Sequence, residues 1–351
     1  MNDRSISAMA LLLCLAGCWA PEAGAQVVNT SPDRDRSGTA SSAYLLLPLT
    51  ARTAGLGTAV ASGPATMSGL EAAFDNPAGL MLNTGTNALF SRVEYVADIG
   101  VNYFGVARRI GSNNVAFTVS AWDFGDIPVQ TEENPDVDAT TPTWTATYVT
   151  AGLGYARRFT DRIAAGITAK VVSETMASDL NAATLAFDAG MTYDVGESGL
   201  RFGVSLKNFG PSMRYGGDGL IDTATPLGTS RPSTVTYQAE DFELPSQLNF
   251  GIAYTRAMGG AGAVTFLGNY RSNAYETDHF SGGVELGLRD VLYLRGGYLY
   301  EQNLDTNFFS GWNVGAGLNL EVSNYALTFD YAYRATDVFD GVHLITTTIT
   351  L

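Results

Sequence analysis

Hydrophobic and polar positions alternate with a period of two through most of this chain. Trp312, Val314, Ala316, Leu318 and Leu320 fall on one face of a segment whose other face holds Gly311, Asn313, Gly315, Gly317 and Asn319. The next segment sets Tyr325, Leu327, Phe329, Tyr331 and Tyr333 against Ala326, Thr328, Asp330, Ala332 and Arg334. Leu248, Phe250, Ile252 and Tyr254 alternate in the same way with Asn249, Gly251, Ala253 and Thr255, and Leu185, Phe187, Ala189, Met191 and Tyr193 with Thr184, Ala186, Asp188, Gly190 and Thr192. Successive side chains of a β-strand point to opposite sides, so each segment predicts a strand with one apolar face and one polar or small-residue face. Such segments fall near 86–96, 99–110, 113–124, 144–159, 162–175, 181–194, 199–209, 246–257, 261–272, 278–289, 291–302, 308–321, 324–335 and 341–351.

Soluble β-sandwiches alternate as well, so the period leaves open whether the apolar face meets lipid or a protein core. Two features favour lipid. The polar faces carry charges in mid-strand, at Lys170, Asp188, Arg201, Lys207, Glu285, Arg295, Asp330 and Arg334, which a solvated lumen with cross-pairing tolerates. The apolar faces gather Tyr, Phe and Trp near segment ends, the depth at which rings form interfacial girdles. The segment count is even, as a closed bacterial barrel with both ends on one side requires. Connections alternate too: Gly111-Ser112, Thr160-Asp161, Val195 to Ser198, Met258 to Gly260, Asp290 and Val322-Ser323 are short, whereas the other set includes 125–143 and 210–245. Short turns face the periplasm and long loops the exterior, with the Ala97-Asp98 hairpin as the one short connection on the outer side. The expected fold is all-β, a transmembrane antiparallel up-and-down barrel of about fourteen strands over 85–351, in the outer membrane of a Gram-negative-type bacterium.

Ahead of the barrel the pattern changes. Ile6 to Ala16 is a short apolar run behind Arg4, followed by small residues and Pro21, which predicts a secretory signal too short to span a bilayer. Ala23-Gly24-Ala25 offers a cleavage site that defines a signal peptide of 1–25, and Leu15-Ala16-Gly17-Cys18 offers a lipoprotein box as the alternative. The only cysteines, Cys14 and Cys18, lie here, so under the first reading disulfides play no part in the fold. Residues 26–43 are polar and predict a mobile tail. Residues 44–84 lack a strand period and hold Leu45-Leu46-Leu47, the small-residue stretch Ala54 to Ala61, a helix-capable Ser68 to Phe74, and Asn76-Pro77-Ala78-Gly79-Leu80. They are expected to form an N-terminal hatch that plugs the periplasmic end of the barrel, the alternative being a helix and loop packed beneath the rim.

Composition narrows the function classes. With 39 Gly, 17 Tyr, 17 Phe and only 16% charged residues, the chain reads as β-rich. A net charge of -15 argues against a nucleic-acid partner, whose phosphates demand a basic face. After the signal no apolar run reaches eighteen residues, which excludes a helical inner-membrane protein. No enzyme, cofactor or metal site is expected. His279 and His343 are far apart, with no carboxylates placed beside them; an interfacial or lumenal position suits each. No Gly-x-Ser-x-Gly elbow or Walker-type loop occurs, and Gly55-x-Gly57 lacks its third glycine at Val60. The acidic cluster Glu132, Glu133, Asp136 and Asp138 lacks calcium-loop spacing and reads as a solvated loop.

A set of short motifs, in order, resembles the PorV/PorQ outer-membrane proteins, which are related to FadL-type fatty-acid transporters. They are Ala54-Gly55-Leu56-Gly57-Thr58-Ala59, Phe74-Asp75-Asn76-Pro77-Ala78-Gly79-Leu80, Tyr155-Ala156-Arg157-Arg158-Phe159-Thr160-Asp161-Arg162, Asn208-Phe209-Gly210-Pro211-Ser212-Met213, Leu244-Pro245, Leu294-Arg295-Gly296-Gly297-Tyr298 and Asp330-Tyr331-Ala332-Tyr333. The likeness covers roughly 44–351 and implies a fourteen-stranded barrel with a hatch, whose Asn-Pro-Ala matches Asn76, Pro77 and Ala78, followed by Gly79. Physically, Pro77 fixes φ, biases Asn76 away from the α region, and lets the Asn76 side chain bond its own backbone, so the trio makes a chain-reversing corner. The C-terminal Ile349-Thr350-Leu351 departs from the terminal aromatic common in such barrels.

The resemblance implies first a role like that of PorV in type IX secretion, binding exported proteins by their C-terminal signal domains and handing them to secretion-machinery subunits for surface attachment. The candidate contacts are on the outer loops: Ile127, Val129 and Trp144 around 125–143, and Met213, Tyr215 and Tyr237 in 210–245. It implies second a passive transporter of hydrophobic small molecules, as FadL relatives provide. A structural or adhesive barrel is a third reading. A lumen lined by Gly, Asn, Thr and charges favours water or a plug over a greasy tunnel, and in 99–110 the face carrying Asn102, Phe104, Val106 and Arg108 is a candidate for contact with hatch or ligand.

Overall fold

The computed structural model describes residues 40–351 except 65–66, 131–134, 139, 177–179, 226–230 and 302–308. The expected signal peptide and residues 26–39 of the expected tail lie outside the described residues. Fourteen strands close into one antiparallel barrel. They are β1 Thr86–Glu94, β2 Gly100–Ile110, β3 Asn113–Pro128, β4 Thr143–Arg158, β5 Ile163–Met176, β6 Leu180–Asp194 and β7 Leu200–Phe209, then β12 Gln247–Ala257, β13 Gly262–Asn273, β14 His279–Leu288, β15 Leu292–Glu301, β16 Phe309–Val322, β17 Tyr325–Thr336 and β18 Val342–Thr350. The long connection between β7 and β12 adds two ribbons, β8 Met213–Arg214 with β11 Asp241–Phe242, and β9 Ile221–Ala224 with β10 Ser233–Thr236. Each barrel strand lies within a few residues of its expected segment. β1 pairs with β18, from Asn87↔Thr350 to Glu94↔His343, so every barrel strand has a partner on both sides, the condition for crossing lipid with strands.

Burial follows the sequence alternation. Trp312, Val314 and Leu318 are exposed on the outside while Asn313 between them is buried. Phe90, Phe104, Phe117, Leu153, Ile167, Phe250, Phe266 and Phe329 are likewise exposed around the wall. A continuous outer surface of this kind is far larger than the apolar patches water tolerates, and it matches acyl chains. Tyr300, Trp312 and Phe280 lie toward one edge of the belt and Tyr155, Tyr193, Tyr254 and Tyr325 toward the other, all exposed, which places rings at both interfaces. The face of β2 that carries Asn102, Phe104, Val106 and Arg108 belongs to this outer surface, with Phe104 44% exposed. It contacts neither a hatch nor a lumenal ligand; Val101, Tyr103 and Ala107, of the opposite parity, are the buried ones.

Residues 42–64 and 67–83 occupy the lumen. A short helix Ala51–Gly55 is fully buried, and its Ala51 N–H donates to Thr346 Oγ1 on β18 at 2.8 Å. The helix Gly69–Asp75 begins with a complete capping box, the Glu71 N–H donating to Ser68 Oγ and the Ser68 N–H to the Glu71 carboxylate, which satisfies two end donors at once. Backbone meets backbone where the wall is glycine. A Cβ at Gly203 would fall on the Ala61 carbonyl, and one at Gly297 on the Leu56–Gly57 peptide. The glycine face read from the sequence as wet or crowded is therefore crowded. The corner at Asn76 forms as its side chain dictates: the Ala78 N–H donates to Asn76 Oδ1 at 3.0 Å, and Asn76 Nδ2 donates to the Ala61 carbonyl at 2.7 Å.

Candidate functional site

The inner segment enters the lumen at the end where the long loops lie. Ala40 bridges Glu243 of the β11 region, and Ser42 Oγ donates to Glu174 at the top of β5. At the other end Asn83 Nδ2 donates to Asn114 Oδ1 on β3 at 3.1 Å. Two cavities flank its first residues. The larger is a vestibule of about 900 Å³ at the outer mouth. The smaller, about 60 Å³, lies deeper, lined by Leu45, Leu49, Phe74, Leu80, Tyr103 and Ala116 together with Lys170, Asp188 and Lys207. Tyr44 and Trp122 line both cavities, so their rings form the partition.

The partition is an aromatic cluster. Tyr44 packs edge-on to Trp122 at 5.3 Å between centroids and against Tyr148 at 5.1 Å; Phe124 meets Tyr148 at 4.7 Å, and Tyr95 meets Trp122 at 5.9 Å. These rings come from the outer ends of β3 and β4, the β1–β2 hairpin and the inner segment. They escaped the sequence reading because they continue a face that starts out small and polar: Ala116, Thr118 and Ser120 precede Trp122 and Phe124 at the same parity. Parity followed to the strand end was the signal available. Across the vestibule stand Arg271, His279 and Arg334. Arg271 Nε donates to Asn249 Oδ1 at 3.1 Å, Arg334 Nε to Asn313 Oδ1 at 3.2 Å, and Arg334 lies 4.0 Å over the Phe309 ring. Tyr215, from the outer loop, donates to Glu174 on the vestibule wall. Burial and that hydrogen bond push its phenol above the usual range, so it stays protonated and donating.

Two buried charge groups hold the inner segment to the wall. In the first, Arg52 reaches Glu285 on β14 at 3.0 Å and Glu71 at 3.4 Å; Arg295 on β15 meets the same Glu285 at 2.6 Å and also pairs with Asp330 on β17. In the second, Lys207 lies 3.8 Å from Asp75 and 4.1 Å over the Phe74 ring, while Lys170 pairs with Asp188 at 2.8 Å. The second group borders the small cavity. There the β6–β7 ladder breaks between Phe187 and Ala189: Asn208 adopts a φ of 57°, donates its N–H to Asp188 Oδ1 at 2.7 Å and accepts from Lys170 at 2.6 Å.

The eight charges singled out from the sequence all point inward, but into a packed interior rather than a solvated one. Lys170, Asp188 and Lys207 gather at the small cavity, Glu285, Arg295 and Asp330 in the buried group, and Arg334 at the vestibule; Arg201 stands apart, pairing with Asp194 and donating to the Gly63 carbonyl. Of the loop candidates only Tyr215 lines the vestibule. Ile127 pairs with Trp144 at the outer ends of β3 and β4, Val129 follows them, Met213 is buried in the β8–β11 ribbon, and Tyr237 is exposed. Asn76, Pro77, Ala78 and Gly79 are buried in the corner described above. Arg52, Glu71 and Asp75, the partners that neutralise the lumen, had no strand period to mark them.

No protein-family model and no curated protein matches the chain. Solved structures do. The Pseudomonas putida toluene transporter TodX superposes with a TM-score of 0.54 at 11% identity, covering 84% of this chain and 96% of that one. A Pseudomonas aeruginosa FadL homologue superposes with a TM-score of 0.51 at 13% identity, covering 87% and 99%. The chain is a closed fourteen-stranded outer-membrane β-barrel that shares its fold with these two structures. At such identities the likeness extends to the fold, and function rests on the lumen itself.

Proposed function

We propose that this barrel is a passive conduit for small hydrophobic molecules across the outer membrane. The observation that carries this reading is the pair of cavities separated only by Tyr44 and Trp122, an aromatic path from the outer mouth into an apolar pocket inside a closed wall. Residues 42–83 act as the hatch, held by the Arg52 and Lys207 groups, so an aqueous pore is stopped while the apolar pocket stays reachable. The inner pocket, about 60 Å³, is smaller than the roughly 150 Å³ apolar cavity that holds benzene. Passage therefore requires the Tyr44 ring to swing toward the vestibule. The β6–β7 break beside the pocket, held by side chains of Asp188, Lys170 and Asn208 instead of a backbone ladder, is the proposed way onward through the wall. That TodX is a toluene transporter supports the substrate class.

On the outer loops, where the exported-protein reading places its contacts, Met213 is buried and Tyr215 is turned to the vestibule while Val129 and Tyr237 are exposed; the apolar path is what favours small molecules. Uptake of a radiolabelled monoaromatic hydrocarbon by cells producing the chain tests the proposal. Ala116→Trp, which fills the pocket, is expected to cut the initial rate about tenfold. Rates unchanged by Ala116→Trp, or equal to those of cells without the chain, would overturn it.

A further inference from the structure

The periplasmic rim is charged unevenly. Arg108 and Arg109 end β2, Arg157 and Arg158 end β4, and Arg162 sits in the turn that follows; all five are exposed, with Asp161 the one acid among them. Among the described residues none of these arginines makes an ion pair; Arg109 donates to the Gly111 carbonyl at 3.1 Å. Elsewhere on the rim Arg256 and Arg289 are accompanied by Asp194, Glu197, Asp290 and Glu321.

Two of the five face the lipid. Arg108 shares the outer face of β2 with Phe104 and Val106, and Arg157 shares that of β4 with Leu153 and Tyr155. The register sets Arg108 beside Val115, Val115 beside Tyr155, and Arg157 beside Asn113. Strand spacing and rise then put the two α-carbons about 12 Å apart, a span that two arginine side chains close onto one anion. Tyr155 Oη donates to Asn113 Oδ1 at 2.9 Å between them. Ile110 and Phe159, 56% and 59% exposed, follow Arg108 and Arg157 on the same outer faces, nearer the rim, so apolar surface that a soluble partner would leave in water lies on both sides of the pair.

We propose that Arg108 and Arg157, with Asn113 and Tyr155 between them, bind the phosphate of an anionic phospholipid in the periplasmic leaflet, its acyl chains lying along Phe104, Val106 and Leu153 toward the centre of the belt. Cations immediately below an acyl-facing belt meet headgroup phosphates, and bidentate guanidinium contacts suit a phosphodiester. The site is on the outside of the wall and does not depend on the transport reading.

The test is native mass spectrometry of the full barrel released from nanodiscs of equal phosphatidylglycerol and phosphatidylethanolamine. Phosphatidylglycerol should be retained on the order of tenfold over phosphatidylethanolamine. Arg108→Gln/Arg157→Gln should bring the ratio to near one, while Arg256→Gln/Arg289→Gln on the other arc should leave it as in the parent. Equal retention of the two lipids by the parent would overturn the proposal, and by leaving the arginines without a lipid would point to a soluble acidic partner. An equal fall in both double variants would overturn it too, as the signature of net charge alone. Should the first double variant fail to fold, the parent's ratio decides by itself.

Discussion

Arg52 is the residue on which the lumen's electrostatics turn. It is 3% exposed and joins a carboxylate of the inner segment to one of the wall. Removing one member of such a group leaves its partner charged and without water, which costs about 3–5 kcal/mol. Arg52→Met should therefore lower the urea midpoint of the folded barrel, and Arg52→Met/Glu71→Gln, which neutralises the carboxylate left without its cation, should recover part of that loss; a double variant no better than the single would remove the pairing argument. Tyr44 sets a different quantity. Tyr44→Ala merges the two cavities and should raise hydrocarbon uptake several-fold, whereas Tyr44→Phe, which keeps the ring, should leave it within twofold. Uptake that falls in Tyr44→Ala would mean that the ring guides ligand instead of gating it.

At the level of elements the contacts between wall and inner segment are set by what the wall omits. Gly297 has no side chain because the Leu56–Gly57 peptide occupies that space. Gly297→Ala forces backbone apart, an overpacking cost of about 1–3 kcal/mol. It should expose the inner segment to periplasmic protease faster than in the parent, read by the rate of fragment appearance on a gel; unchanged cleavage would show that the segment relaxes freely. Strands were legible because one face meets lipid along the whole wall, so nothing disturbs the period of two. The inner face obeys no such rule. Its residues answer to a partner with no period of its own, which is why Trp122 and Tyr148 read as continuations of polar faces and Asn102 and Phe104 could be assigned to the wrong side. The helix Gly69–Asp75 was legible from Ser68 and Glu71, yet nothing local revealed that Glu71 also faces Arg52. The ribbons of the long loop are too short, at two to four residues a strand, for alternation to rise above chance.

For the whole molecule, apolar girth outside and charge groups inside reverse the arrangement of a soluble protein. The reversal was foreseeable from mid-strand charges, but their dryness was not, since the neutralising acids and Arg52 belong to a segment without strand pattern. Net charge also divides along the axis: Asp218, Asp222, Glu240, Asp241, Glu276 and Asp278 crowd the loop end while the arginines of β2 and β4 mark the opposite one. One bond described above bears on how the barrel is closed. Ala51 is tied to Thr346, and Thr346 hydrogen-bonds Ser91 across the β1–β18 junction at 2.8 Å. The earliest-made stretch of the lumen is thus fastened to the latest-made strand. The seam where the cylinder shuts is shared with its filling: one threonine hydroxyl serves both, so a change that loosens the filling is felt where the two outermost edges meet.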